Sequence, residues 1–322
     1  MSAQTFPVLF TSAGRRVELT RCFRKAAEGL GIEIEVHACD LDPELSSACQ
    51  DADKRFAVPR CTDDGYVDQL LEYCRDNKIR LLVPTIDPEL TPLALARDRF
   101  AEIGTLVHVS SPETIDIVRD KALTAATLGA VGVPVPRTWE LSAETELPGD
   151  WGWPSFIKPS AGSASRGIGV VRSASDLRPS YPEQMILQEL LGGSEYTVNI
   201  YIDAHGRLRS VIPHVRLSVR AGEVEKGRTV RREDIHEVAE GIVGAMPGLR
   251  GIACFQLIDD EARGLRVFEI NARFGGGYPL ADHAGGRFAE SLLALASGRE
   301  ECATGDWREG ATMLRYDAAI FV

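Results

Sequence analysis

The first third of the chain alternates short apolar runs with segments that carry apolar residues at helical spacing. The pattern predicts strands at 7–10, 33–38 and 79–84, with helices in the gaps between them. Strands that alternate with helices are typical of a parallel, doubly wound sheet, whose ligands bind at the carboxyl ends of the strands. Gly14, Asp40 and Asp87 fall at those ends.

The pattern changes after Ser110. Residues 111–113 predict a helix cap, 121–128 a helix and 131–136 an extended connector. A short strand at 154–159 leads into a loop of small residues at 160–169. From Met185 onward the pattern predicts an antiparallel sheet backed by helices, with strands at 185–188, 195–203, 208–216, 252–258 and 265–270, and helices at 232–245 and 288–296.

These elements predict an α/β protein with three units. A chain of 322 residues exceeds the usual size of one hydrophobic core, so several compact units that share a cleft are expected. We expect a Rossmann-like parallel-sheet domain at 1–110, a small subdomain with the small-residue loop at 111–183, and a larger α+β subdomain at 184–322.

Composition narrows the function classes. The net charge of −11 disfavours nucleic acids and anionic membranes as partners, and no apolar stretch is long enough to span a bilayer. The seven cysteines are scattered without a CxxC pair, and the N-terminus lacks the pattern of a signal peptide. We therefore expect a cytoplasmic enzyme that binds neither nucleic acid nor membrane.

The loop at 160–169 is a candidate phosphate site. Its Gly, Ser and Ala residues let backbone N–H groups converge on an anion, although such a hairpin is also found as a plain flexible turn. Lys158 precedes it within an apolar strand, where a buried ammonium requires an anionic partner. A structural salt bridge would meet that requirement as well.

A second cluster lies in the run 268–277. Glu269, Asn271 and Arg273 alternate along it and project to one face, and Gln256 lies on a strand predicted nearby. Carboxylate and amide oxygens suit Mg2+, while an arginine can neutralise phosphoryl oxygens. The alternative is a Glu–Arg pair on a solvent-exposed face.

Four segments, taken in order, resemble the ATP-grasp superfamily, and most closely stand-alone proteins related to the carbamoyl-phosphate synthase large chain. They are Lys121, the run 156–159 with its Gly-rich loop, the hairpin 188–196, and the run 269–273. Residues 9–89 also resemble the pre-ATP-grasp domain of these enzymes. The resemblance implies an ATP-dependent ligase that phosphorylates a carboxylate and passes the acyl group to an amine or a similar nucleophile.

The resemblance also implies roles for the matched residues. Lys121 and Lys158 would contact the phosphates of ATP under a lid that includes Ser160, Gly162, Ser163, Ser165 and Gly167. In the hairpin that contains Gln188, the backbone of Glu189 and Leu191 would bind adenine, and Glu195 would bind ribose. Gln256, Glu269 and Asn271 would hold one or two Mg2+ ions, or Mn2+ in their place, and Arg273 would stabilise the phosphoryl group.

The residues that would bind the substrates are the least clearly indicated by the sequence. Arg216, Lys226 and Arg228 resemble the segment that crosses the acyl-phosphate site, and a solvated basic surface is the alternative. At the N-terminal strand ends, Gly14, Arg15, Arg16, Asp87 and Glu89 face the same cleft and are candidates to select substrates. For the two arginines, surface charge at a helix start is equally expected.

Three functions stay open. The chain is shorter than a carbamoyl-phosphate synthase or a biotin carboxylase, which favours a small carboxylate–amine ligase with small-molecule substrates; a homodimer is compatible with it. A bicarbonate- or carbamate-phosphorylating enzyme, or a carboxylase, is the second hypothesis. A non-catalytic ATP-binding protein is the third, although a protein of that kind has no need for the Glu269 and Asn271 ligands.

Overall fold

The computed structural model describes residues 5–142, 146–162 and 167–322. Its N-terminal part is a five-stranded parallel sheet in the order β3-β2-β1-β4-β5. Apolar strand residues such as Val8 and Leu82 are completely buried between helices on both faces, which explains the near-continuous apolar runs in the sequence. The elements are β1 Phe6–Thr11, α1 Val17–Leu30, β2 Ile34–Asp40, α2 Ser47–Asp51, β3 Lys54–Ala57, α3 Tyr66–Asp76, β4 Leu81–Pro84, α4 Leu90–Leu95, α5 Arg97–Glu102 and β5 Leu106–Val107.

Two helices and a small antiparallel sheet follow. The strand order is β6-β9-β7-β8, so the strand that carries Lys158 lies in the interior of the sheet. The elements are α6 Pro112–Arg119, α7 Lys121–Ala130, β6 Thr138–Glu140, β7 Ser155–Pro159, β8 Gly169–Val171 and β9 Met185–Glu189.

The remainder forms a six-stranded antiparallel sheet in the order β14-β13-β10-β11-β12-β15. Helix α8 covers it with Ile235, Ala239 and Ile242, which recur at helical spacing and are buried. The elements are β10 Gly193–Ile202, β11 Leu208–Arg220, β12 Glu223–Thr229, α8 Glu233–Ala245, β13 Gly251–Asp260, β14 Gly264–Asn271, α9 Tyr278–His283, α10 Phe288–Ala296 and β15 Thr312–Leu314.

An aromatic cluster joins the first sheet to the last. Phe274, just after β14, makes an edge contact with Phe23 of α1 at 5.5 Å between ring centroids and another with Tyr278 at 4.6 Å. Phe23 in turn contacts Phe10 of β1. Each of these rings is at most 1% exposed, and burying a large apolar side chain contributes about 1.5–3 kcal/mol. This contact fixes the N-terminal strand ends beside the end of β14.

The fold class predicted from the sequence is confirmed. The observed sheets, however, divide at a different point from the predicted domains, because β9 pairs with both β6 and β7 and so belongs to the small sheet. The break falls in the bend at 190–192, not between 183 and 184. Among the described residues, no helix combines the length and apolar character that crossing a bilayer requires.

Candidate active site

Lys158 lies in the interior of the small sheet with only 6% of its surface exposed. Its Nζ atom is 3.4 Å from the carbonyl oxygen of Phe268 and 5.3 Å from the centre of that ring. Among the described residues it forms no ion pair. Burial lowers the pKa of this ammonium to about 7, and the charge of Glu269 opposes that change only in part. The salt-bridge alternative for Lys158 is therefore not what the described residues show.

The start of the small-residue loop is tied to helix α7. Lys121 Nζ donates to the carbonyl of Gly162 at 2.7 Å, and the Lys121 amide donates to the carbonyl of Ser160. The hydroxyl of Ser160 donates to Asp120, which also caps the helix. Gly167, at the far end of the loop, has φ +66 and lies against the ring of Pro159. Ser163 and Ser165 lie outside the described residues.

Glu269, Asn271 and Gln256 lie on one face of the large sheet. Gln256 is the register partner of Glu269, and Asn271 follows two residues later on the same strand. Within the described part of the chain, the Glu269 side chain has no hydrogen-bond or ion-pair partner, so its oxygens are free to bind a cation. Asn271 Oδ1 accepts a hydrogen bond from Arg273 at 2.9 Å.

Arg273 links the end of β14 to the N-terminal domain. Its guanidinium donates to Asp87 at 2.8 Å, and the two side chains are only 12% and 19% exposed. Burial by itself would lower the pKa of Arg273, but the charge of Asp87 raises it above the ordinary value. The Nε atom of Arg273 is buried and has no hydrogen-bond partner among the described residues. An arginine placed in this way keeps one donor for an additional anion.

A third group surrounds Arg216. This side chain is 5% exposed and makes an ion pair with Glu195. The same nitrogen, Nη1, lies 3.2 Å from Gln256 Oε1, while Nη2 donates to the carbonyl of Gly222 at 2.9 Å. Burial raises the pKa of Glu195, and Arg216 opposes that increase. Like Arg273, Arg216 has a buried Nε atom for which the described part of the chain supplies no hydrogen-bond acceptor.

The bend after β9 joins the small sheet to the large one. The side chain of Gln188 donates to Thr138 on β6, and the amide of Glu189 donates to the carbonyl of Arg137. The Glu189 carboxylate is paired with Arg263 at 2.9 Å. Leu191 lies in the bend itself. The adenine role of Glu189 and Leu191 remains a prediction.

Three arginines converge at the N-terminal side of the site. Arg16 lies 3.6 Å from Glu223, at the start of β12, and Arg315, just after β15, lies 2.7 Å from the same carboxylate. Arg315 also donates to the carbonyl of Gly276. Burial lowers the pKa of Arg16, Glu223 opposes this, and Arg273 and Arg315 lower the pKa further. The shared contact with Glu223 brings the Arg16 and Arg315 guanidinium groups close together.

The other N-terminal candidates have different surroundings. Gly14 donates its amide to Asp40 at 2.7 Å, and Arg15 is exposed. Glu89 is completely buried and accepts hydrogen bonds from Ser12, Tyr66, Thr85 and Ile86. Its two oxygens therefore organise the loops at the strand ends.

Lys226 and Arg228 are exposed on β12, and Arg228 donates to Thr312. Arg228 pairs with Val215, whereas Arg216 pairs with Gly227, so alternation along the strand directs Arg228 away from the face that carries Arg216. The structure does not bring these two residues into contact with Arg273 or Arg216.

Glycines 275–277 let the chain pass close to the sheet. A Cβ atom at Gly276 would lie 2.9 Å from the carboxyl carbon of Glu223, and one at Gly277 would lie 2.7 Å from the ring of His214. His214 is fully buried, and burial lowers its pKa to about 3. It is therefore neutral near pH 7 and acts as a packing surface under the loop.

These residues fit a nucleotide and a divalent cation. A desolvated ammonium at Lys158 and the two unpartnered Nε donors of Arg216 and Arg273 require anionic oxygens, as phosphates provide. No group of three or more His, Cys, Asp or Glu side chains suited to a metal occurs in the described parts of the chain. A cation here would instead use Glu269 and amide oxygens, with phosphates and water as its other ligands.

Comparison with known families decides the relationship. A family profile described as an ATP-grasp domain matches residues 118–277, and one described as a PylC-like N-terminal domain matches residues 8–108. The chain belongs to the ATP-grasp superfamily. Members of this superfamily are ATP-dependent ligases, and the resemblance inferred from the motifs is confirmed.

Among curated relatives, this ATP-grasp chain is 24% identical over 185 residues to the carbamoyl phosphate synthase large chain of Methanosphaerula palustris. The match covers 53% of this chain but only 17% of that relative. Two solved structures share its fold. N5-carboxyaminoimidazole synthetase from Staphylococcus aureus complexed with ADP has a TM-score of 0.74 and 14% identity, covering 95% of this chain and 82% of that one. L-amino acid ligase from Bacillus licheniformis has a TM-score of 0.68 and 16% identity, covering 90% and 74%.

Two residues of this ATP-grasp site escaped the sequence interpretation. Glu223 begins β12, a strand that the sequence did not predict, and Arg315 follows the three-residue strand β15. Neither stands in a recognisable motif. Alternation across 223–229 is not a clear signal for β12, because the buried positions Val224 and Gly227 are three residues apart and do not share a face.

Proposed function

We propose that the protein uses MgATP to phosphorylate a carboxylate and then transfers the acyl group to an amine. The observation that carries this proposal is the set of largely buried cationic donors, Lys158, Arg216 and Arg273, together with the carboxylate of Glu269, which has no hydrogen-bond or ion-pair partner among the described residues. Phosphoryl transfer needs positioning and compensation of charge more than covalent help from the protein, and these residues supply both.

Each residue has a role that follows from its surroundings. Lys158 and Lys121 bind phosphate oxygens, because one is desolvated and the other is held at the start of the loop. Glu269 and Asn271, with Gln256 beside them, hold Mg2+, which would supply charge neutralisation at the phosphates. Arg273 orients the reacting anion, and its contact with Asp87 keeps the guanidinium fixed during transfer.

The arginine cluster supports an anionic acceptor. Arg16, Arg273 and Arg315 face one another across Glu223 and Asp87, which leaves one positive charge in excess before Arg15 is counted. A carboxylate between these groups would lie at the end of β14, where Arg273 keeps its free donor. The amine would enter from the N-terminal strand ends at Gly14 and Asp40.

Phosphorylation of bicarbonate is the second candidate, because the match to a carbamoyl phosphate synthase large chain covers about half of this chain. A bicarbonate ion would fit the same arginine cluster. A reaction that phosphorylates bicarbonate would not require an organic acid, and this requirement separates the two hypotheses experimentally.

The test is ADP release from MgATP with a panel of carboxylic acids, each with and without amines, and with bicarbonate alone. Glu269→Ala serves as the inactive control. Turnover that requires an organic acid together with an amine, and that is lost in Glu269→Ala, supports the ligase. Turnover with bicarbonate alone selects the second candidate. Nucleotide binding with no turnover above the control contradicts both and leaves a non-catalytic ATP-binding protein.

A further inference from the structure

Arg315 follows β15, the strand at the edge of the large sheet. Gly227 on β12 pairs with Met313 on one side and with Arg216 on the other. The Arg315 amide donates to the carbonyl of Glu225 at 2.9 Å, so the pairing with β12 continues beyond the end of β15. Alternation from Met313 therefore places Arg315 on the same face of the sheet as Arg216.

The guanidinium of Arg315 contacts two other segments. Its Nη1 atom donates to Glu223 Oε2 at 2.7 Å, and its Nη2 atom donates to the carbonyl of Gly276. Burial by itself would raise the pKa of Glu223, but Arg16 and Arg315 lower it below the ordinary value, so this carboxylate is ionised near pH 7. A residue after the last strand thus fixes the position of an ionised carboxylate.

Arg16 lies on the other side of that carboxylate. Its guanidinium forms no hydrogen bond with the described residues, and the ion pair that it makes with Glu223 Oε1 is 3.6 Å long. The side chain is only 21% exposed, and its pKa is lowered by burial and by the charges of Arg273 and Arg315. A largely desolvated guanidinium without a hydrogen-bonded partner requires an anionic oxygen, which the carboxylate of an acid substrate would supply.

Resting on the proposed function, we propose that Arg315 is a positioning residue that holds Glu223 and thereby directs Arg16 toward the carboxylate of the acid substrate. Both terminal nitrogens of Arg315 already donate, one to Glu223 and one to Gly276. Arg16 is the group whose donors are left to bind the acid. The arginine that binds the acid then comes from the N-terminal domain, and the arginine that orients it comes from the end of the last strand.

The experiment measures ADP release with the organic acid that gives the highest kcat/KM in the panel. In Arg315→Met we expect the KM for this acid to rise about tenfold, while kcat and the KM for ATP change by less than about threefold, because the interaction lost is made with the bound acid. Arg315→Lys keeps one donor for Glu223 and should restore part of the loss. Arg220→Met is the matched control, since it breaks an exposed pair with Asp317, two residues beyond Arg315, and should leave all three constants unchanged.

A double variant separates positioning from direct binding. Arg16→Met should raise the KM for the acid at least as far as Arg315→Met does, and the double variant Arg16→Met/Arg315→Met should be no worse than Arg16→Met, because Arg315 acts through Arg16. If the two effects multiply, Arg315 binds the acid by itself and the inference is overturned.

Three further results are decisive. An unchanged KM for the acid in Arg315→Met, or an equal rise in the KM for ATP, overturns the inference and leaves the proposed function intact. If Arg315→Met does not fold, Arg16→Met decides, and a KM for the acid within about twofold of the wild type overturns the inference. A wild type that turns over with no organic acid overturns the proposed function, and the inference with it.

Discussion

Replacing Lys158 by methionine should stabilise the nucleotide-free protein while abolishing nucleotide binding. The ammonium is 6% exposed, has no ion-pair partner among the described residues and lies nearest to a carbonyl oxygen at 3.4 Å. Methionine fills a similar volume without a charge to desolvate. A residue kept for function against its own stability cost is expected to behave in this way.

The magnitude follows from the pKa. Burial lowers the pKa of Lys158 from 10.5 to about 7. At about 1.4 kcal/mol for each pH unit, this difference corresponds to a ceiling of about 5 kcal/mol. Relaxation of the site and entry of water reduce it, so we expect Lys158→Met to raise the free energy of unfolding by about 2–4 kcal/mol.

The lowered pKa also determines how the stability difference between Lys158→Met and the wild type changes with pH. Below pH 7 the lysine is protonated in both the folded and the unfolded chain, and the full free-energy cost of burying its charge is present. Between pH 7 and 10.5 the unfolded chain holds the proton and the folded chain does not, so the wild type gains stability as pH rises. The advantage of Lys158→Met should therefore shrink steadily above pH 7.

The assay is urea denaturation with EDTA and without nucleotide, at several pH values, together with a binding titration of ATP. Lys121→Met is the matched control, since Lys121 contacts the same loop from a more accessible position. Its stability should change by less than about 0.5 kcal/mol. A destabilised Lys158→Met protein, or one that binds ATP like the wild type, would refute the reasoning.

Two further substitutions test how the site is held. Asp87→Asn leaves the Arg273 guanidinium buried without its anionic partner and should lower the free energy of unfolding by about 2–4 kcal/mol, measured by denaturation; a change under 0.5 kcal/mol would show that the pair does not join the domains. Gly277→Ala places a Cβ atom 2.7 Å from the buried ring of His214 and should cost about 1–3 kcal/mol, whereas Gly305→Ala, with no atom within 4 Å, should be neutral; equal melting temperatures would contradict the packing argument.

Local sequence patterns predicted the parts of the fold that depend on local physics. The buried parallel strands appear as apolar runs, and α10 carries its apolar residues at helical spacing, so its predicted bounds at 288–296 match the structure. The short strand β6 was missed, because it has only three residues, none of them fully buried, and it exists through pairing with β9. That same pairing moves the division between the two later sheets.

The candidate site was also predicted only where it depends on local sequence. Glu269 and Asn271 lie on β14, where alternation alone places them on one face, and Arg273 follows two residues after the strand ends. The contact between Arg216 and Gln256, and the shared contact of Arg16 and Arg315 with Glu223, depend on which strands become neighbours and on how the N-terminal domain packs. No local pattern encodes these contacts, so a single sequence could not indicate them.

Positional isotope exchange in ATP tests the central claim most directly. ATP labelled with 18O at the bridge between the β and γ phosphorus atoms would be incubated with Mg2+ and each organic acid, without an amine, and examined by 31P nuclear magnetic resonance. Reversible formation of an acyl phosphate frees the ADP phosphate to rotate, so one acid should scramble the label, and Arg273→Met should abolish the scrambling. Two results would contradict the account: scrambling that occurs only with bicarbonate, or the absence of scrambling with every organic acid of the panel.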